Sequence, residues 1–145
     1  MGKKEKGDLR NSLSAILGRW PKTAKQATDW LEARGMSTEE AETAVRELTL
    51  AGLLDDDLYA RLFVEGHESW GPLRLRDELR RRGVEEKIVL KAVRERTDTD
   101  MLAQMIGNWR RAGIDDRRIA GRLIRRGFRP SEIAGALRSS CPGEE

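Results

Sequence analysis

Few side chains in this sequence are of the kinds that make or break bonds. His67 is the sole histidine and Cys141 the sole cysteine. Cys141 falls in a polar tail, so an intramolecular disulfide is impossible. His67 stands between Glu65 and Glu68, just before Trp70, and reads as a helix-surface residue. Asp55, Asp56 and Asp57 could in principle attract a divalent cation. Acids in the first turn of a helix, however, are already explained by capping of free N–H groups and by the helix dipole. There is no cluster with metal-ligand spacing and no glycine-rich phosphate loop of the GxxxxGK[ST] type. The residues therefore point away from an enzyme, and no metal or cofactor is expected.

Arginine is the residue type whose placement carries chemistry. From Met101 onward nine arginines face five acids, so the basic excess sits in the last third of the chain. The segment LRLRDELRRRG, by contrast, compensates itself. Arg74 with Glu78, Asp77 with Arg81 and Glu78 with Arg82 all stand at i,i+4, and only Arg76 has no acid three or four residues away. Further on, Arg118, Arg122, Arg125 and Arg129 follow at spacings of four, three and four, with Arg126 at the same end. Around Arg122 the i±3 and i±4 neighbours are Arg118, Ile119, Arg125 and Arg126. Like charges so placed cost a few tenths of a kcal/mol per pair, which favours an anionic partner over a merely solvated face. Phosphate backbone and a carboxylate-rich protein surface both satisfy that requirement.

The elements that position these residues are helices. Apolar residues recur at helical spacing nearly throughout, and the four prolines sit at helix edges. A repeat emerges when the chain is aligned on Gly35, Gly83 and Gly127, which lie 48 and 44 residues apart. Four residues before each glycine stand Leu31, Leu79 and Leu123, and eight before stand Ala27, Leu75 and Ile119. Arg34, Arg82 and Arg126 precede the glycines; Met36, Val84 and Phe128 follow them. Six, nine and ten residues after come Ala41, Ala44 and Val45, then Val89, Ala92 and Val93, then Ile133, Ala136 and Leu137. Each set is one helix's buried stripe, a left-handed glycine stop beneath a basic residue, and the stripe of the next helix. Ser37 with Glu40 forms a capping box, and Pro130-Ser131 starts the last helix.

A further helix precedes each pair, carrying Leu13, Ile16 and Leu17 in the first unit and Leu58, Tyr59, Leu62 and Phe63 in the second. In the third it carries Leu102, Met105, Ile106 and Trp109. The expected fold is all-α: three tandem three-helix repeats over residues 12–52, 53–96 and 99–139. A basic tail at 1–11 and a second tail at 140–145 are expected to be disordered. Tyr59 reads as core. Trp70, before a Gly-Pro helix start, suits packing across the turn and partner contact equally, and Trp20 before Pro21 matches it. No apolar leader and no run of 18 apolar residues is present, so a cytoplasmic protein is expected.

The run GLLDDDLYARLFV, then WGPLRLRDELRRRGV, then RRGFRPSEI resembles the RecX family of RecA regulators. The resemblance rests on Leu54, Asp55, Asp56, Tyr59 and Ala60 for one motif. The other comprises Gly71, Arg74, Leu75, Glu78, Leu79, Arg82, Gly83 and Val84, and the likeness extends over about residues 12–138. Most of these motif residues read as structural. The resemblance implies an elongated, curved helical array. It also implies a protein of DNA repair and the SOS response that binds the RecA filament and lowers its strand exchange, ATP hydrolysis and coprotease activity; a monomer is expected. Single- or double-stranded DNA within the filament is an implied contact; a membrane is not. The candidate partner-binding residues are Arg76, Trp70, Arg118, Arg122, Arg125, Arg126 and Arg129. The alternative is a helical protein acting directly on DNA through the C-terminal arginine face.

Overall fold

The computed structural model describes residues 22–140, which contain eight α-helices and no strand. In chain order these are α1 (Ala24–Ala33) and α2 (Thr38–Leu50), then α3 (Asp56–Gly66), α4 (Pro72–Arg81) and α5 (Glu86–Arg94). The last three are α6 (Thr99–Arg111), α7 (Asp116–Arg125) and α8 (Pro130–Ser139). The expected helix with Leu13, Ile16 and Leu17, the Trp20-Pro21 step and the segments 1–11 and 141–145 lie outside the described residues.

Helix packs on helix within three successive groups: α1 on α2, α3 and α4 on α5, α6 and α7 on α8. Each group has its own apolar core. Ala27, Leu31, Ala41, Ala44, Val45 and Leu48 make the first. Tyr59, Ala60, Phe63, Val64, Leu75, Leu79, Val84, Val89 and Ala92 make the second. Leu102, Ile106, Ile119, Leu123, Phe128 and Ile133 make the third. Most of the stripe residues expected on either side of the three glycines are thus buried, while Val93, Ala136 and Leu137 are half-buried at the core edges. Cores this small bury little surface each, so the contacts that join them matter for stability.

The glycine stops follow from hydrogen-bond geometry. At the end of α4 the Gly83 amide donates to Arg80 O and the Val84 amide to Leu79 O, which is the Schellman closure. It requires φ of +86° at Gly83, and Gly127 ends α7 the same way at +92°.

The joints between groups repeat as well. Thr23, the N-cap of α1, accepts the Gln26 amide and donates its hydroxyl to Arg82 O at 2.6 Å. Gly71, the N-cap of α4, donates its amide to Arg126 O at 2.6 Å, and Leu73 donates to Gly127 O at 2.9 Å. In both joints the start of one group's helix, α1 or α4, rests on the glycine turn of the next group. The Leu-Asp-Asp motif braces the first joint. Leu54 is buried in the first core, Asp55 caps α3 through the Leu58 amide, and Asp56 accepts the amide of Ala24 at 2.9 Å.

Two expectations about α3 need correction. Leu58 and Leu62 do not share the buried stripe of Tyr59 and Phe63; they are 44% and 47% exposed, and Ala60 and Val64 are buried in their place. His67 is not a helix-surface residue. It caps the C-terminal end of α3, with Nδ1 2.7 Å from Phe63 O, and is half-buried between the rings of Phe63 and Trp70 at 4.1 and 4.3 Å.

Candidate functional site

The arginine row is built on α7, whose Ile119 and Leu123 are fully buried against α6 and α8. Anchoring that stripe turns the remaining faces outward. Arg117, Arg118, Arg122 and Arg125 line an open groove of about 590 Å³, with Asp115 at its end. Arg118 is 79% exposed and meets Asp115 only at 3.9 Å, while Asp115 Oδ1 is engaged as N-cap by the Arg118 amide at 2.9 Å. No carboxylate among the described residues lies within ion-pair distance of Arg122, Arg125, Arg126 or Arg129. Arg122 and Arg126 instead hold their guanidinium carbons 5.4 and 5.3 Å from the ring centroid of Trp109 on α6, a cation–π arrangement.

The row does not stay together. The Gly127 turn carries Arg129 away from α7 to the N-cap of α8, where it meets Arg76 across a cleft of about 400 Å³ between the second and third groups. Arg76 and Arg129, 53 positions apart in the sequence, thus become neighbours. Arg94, Arg96, Asp98 and Glu132 share the cleft. Arg96 and Asp98 form a partly buried ion pair, and Arg96 also donates to the carbonyls of His67 and Glu68. Burial pushes the Asp98 carboxyl above its ordinary pKa, a rise that Arg96 only partly offsets.

Of the i,i+4 pairs expected in α4, only Glu78–Arg82 forms, at 3.1 Å. Arg82 also donates to the Tyr59 hydroxyl, which explains why this core tyrosine faces a basic residue. Arg81 turns to Glu78 at 3.7 Å and not to Asp77. Arg74 leaves Glu78 and lies 3.8 Å over the Trp70 ring. Arg76 does have an acidic neighbour, Glu86 of α5 at 3.8 Å, a contact between helices that local spacing could not disclose.

Trp70 is half-buried, edge-on to Phe63 at 5.8 Å and packed against the second core. Its position serves the packing reading, although the residue is not fully buried. A separate groove of about 600 Å³ is acidic on balance, with Glu65, Glu68, Glu95 and Asp100 beside Arg61 and Arg96 in its walls. Among the described residues no group of three or more His, Cys, Asp or Glu is arranged to hold a metal, and no helix is long and apolar enough to cross a membrane.

Comparison with known proteins places this architecture. The family described as RecX, second three-helix domain, matches residues 55–93, the stretch from the cap of α3 into α5. The regulatory protein RecX of Halorhodospira halophila is 31% identical over 147 residues, covering 94% of this chain and 91% of that protein. RecX of Pseudomonas fluorescens is 34% identical over 139 residues, covering 89% of each. RecX of Lactobacillus delbrueckii subsp. bulgaricus is 39% identical over 83 residues, a match that spans 31% of that longer protein. The crystal structure of RecX from Lactobacillus salivarius superposes with a TM-score of 0.80 over 92% of this chain and 95% of that one, at 19% identity. A second RecX crystal structure gives 0.72 at 20% identity. These two likenesses establish the fold, helix groups included.

Proposed function

The chain belongs to the RecX family of regulatory proteins, and on that premise we propose that it binds the RecA recombinase filament and lowers its recombinase, ATPase and coprotease activities. It does so by contact and not by catalysis. A regulator of this kind needs a surface whose charges are not consumed by the fold. The observation that carries the reading is the groove on α7, where Arg118, Arg122 and Arg125 stand together with one weak ion pair among them. Folding gains nothing from that repulsion; a partner with negative charge would.

The serial arrangement of three cores supports the same reading. Thin joints let a linear molecule follow a repeating partner surface, because each group presents its own face while its neighbours hold it in register. The division into three repeats over residues 12–52, 53–96 and 99–139 belongs to this proposal, with the first group completed by residues before Ala24.

The deciding experiment adds the purified chain, well below stoichiometric amounts, to RecA turning over ATP on single-stranded DNA, and in parallel titrates naked DNA. Slowed hydrolysis at such ratios, with weak naked-DNA binding, is the expected result. Unaffected RecA together with tight, steeply salt-dependent DNA binding would instead make this a protein acting directly on DNA.

A further inference from the structure

We infer that the cleft between the second and third helix groups is an oxyanion site that seats one phosphate, the group a nucleic-acid backbone offers. The inference deepens the functional reading above and rests on it only for the polymer that brings the phosphate.

Three helices aim cations into this space: Arg76 from α4, Arg94 from the last turn of α5, and Arg129 from the start of α8. The acids nearby are engaged by basic groups or amides, although Asp98 Oδ1, like Arg76 Nε, is buried without a hydrogen-bond partner. Asp98 is paired with Arg96, the Glu132 carboxylate accepts the Arg129 amide at 3.4 Å, and Glu86 is held chiefly by Arg80. Arg94 and Arg129 have no carboxylate within ion-pair distance among the described residues. The strongest sign is Arg76 itself, whose Nε is buried and has no hydrogen-bond partner. A buried N–H without an acceptor opposes folding, and an oxyanion in the cleft would satisfy it.

The geometry separates phosphate from carboxylate. A carboxylate presents two coplanar oxygens that a single guanidinium fork can satisfy. A phosphate presents oxygens in several directions, which suits donors arriving from three helices and the positive end of α8. Leu90 and Val93 line part of the wall, and apolar walls strengthen each ionic contact made there. Arg129 is also the continuation of the α7 row through the Gly127 turn, so a polyanion lying on Arg118, Arg122 and Arg125 has a next place to put charge.

The test uses the full chain. Pyrophosphate is titrated by NMR, following the amides of Leu90 and Val93, and a labelled oligo-dT is titrated by anisotropy across a range of salt. Pyrophosphate alone binding marks a free-phosphate site, and both binding marks a backbone site; either supports the cleft. R76Q/R129Q is expected to weaken oligo-dT at least tenfold and to lower the salt slope by about 0.7, the release expected for one phosphate on a single strand. K91Q, a single charge loss on an exposed face of α5, should stay within about twofold by the same counterion argument. R94Q, at an exposed helix end, repeats the test should the double variant lose helicity. An unchanged slope in a folded variant, or an oligoglutamate peptide that outcompetes pyrophosphate, overturns the inference. Wild-type protein that slows RecA while pyrophosphate leaves the Leu90 and Val93 amides unmoved sinks this site alone. Phosphate binding without any effect on RecA supports the site and sinks the filament reading.

Discussion

Gly71 runs so close to the turn at Gly127 that a Cβ on Gly71 would lie 2.3 Å from the Gly127 carbonyl carbon. The approach is mutual, since a Cβ on Gly127 would lie 2.5 Å from the Arg74 backbone nitrogen. This is the joint between the second and third helix groups, and its hydrogen bonds from Gly71 and Leu73 need that proximity. Arg126, whose carbonyl accepts the Gly71 amide, and Arg129, two residues past Gly127, both belong to the candidate surface. A close backbone contact and two arginines of the candidate surface therefore share one turn.

Gly127→Ala should be costly for two separable reasons. The left-handed backbone costs a side chain about 1–2 kcal/mol, and the clash with Arg74 adds overpacking of about 1–3 kcal/mol. Gly35, also at positive φ, has no described atom within 4 Å of a Cβ, so Gly35→Ala should incur only the first cost. Urea unfolding of the two variants measures the difference. Equal losses would mean that the joint contributes nothing to stability.

Thr23→Val removes a cap from α1 and strands the carbonyl of Arg82, with an expected cost of about 1–2 kcal/mol. Asp56→Ala removes the acceptor for Ala24 at the same helix end. Two groups that hold one helix terminus should couple by at least about 0.5 kcal/mol in a double-mutant cycle. Additive losses would show that the two caps act independently and that the motif does not brace the joint.

The contrast between Leu79 and Leu58 shows which parts of the fold a single sequence discloses. Leu31, Leu79 and Leu123 stand at the same distance from three glycines, and local periodicity assigns all three to the core they occupy. Leu58 and Leu62 obey the same local rule yet lie exposed, because the face of α3 that is buried is chosen by α5, which the local pattern does not include. The site divides the same way. The α7 row is visible as a spacing within one helix, whereas the meeting of Arg76 with Arg129 depends on the joint between groups. Thr23 carries no such sign, and Asp56 reads only as a first-turn acid of the motif, because the bond each makes to a neighbouring group depends on the joint. The only advance sign of the joint was the Gly-Pro step at 71–72, whose missing side chain is required by its closeness to Gly127.

Asp98 should make stability fall as pH rises through the lower carboxylate range. Its folded pKa is raised, chiefly by burial, so the folded chain holds that proton more tightly than the unfolded chain does. The contribution is fully present below the ordinary aspartate pKa and is lost as pH rises through the raised value. Asp98→Asn lacks this titration. The stability of the Asn variant relative to wild type should therefore improve between about pH 3 and about pH 7. A relative decline over the same window would show that the Arg96 ion pair outweighs burial.

Reversing Arg118 and Arg122 to glutamate is expected to weaken filament binding at least tenfold while leaving helicity in place. Arg118 is almost wholly in solvent, and its only ion pair is long. Replacing it changes the field over the groove and little else. Arg122 has one more role, lying over Trp109, and loss of that contact should cost about 0.5–1 kcal/mol, too little to unfold α7 while Ile119 and Leu123 remain buried. Unchanged circular dichroism and an unchanged thermal transition certify the variant as folded. Cosedimentation with RecA assembled on single-stranded DNA then measures binding. A folded double reversal that cosediments like wild type would remove the α7 row from the contact surface and leave the Arg76–Arg129 cleft as the remaining basic candidate.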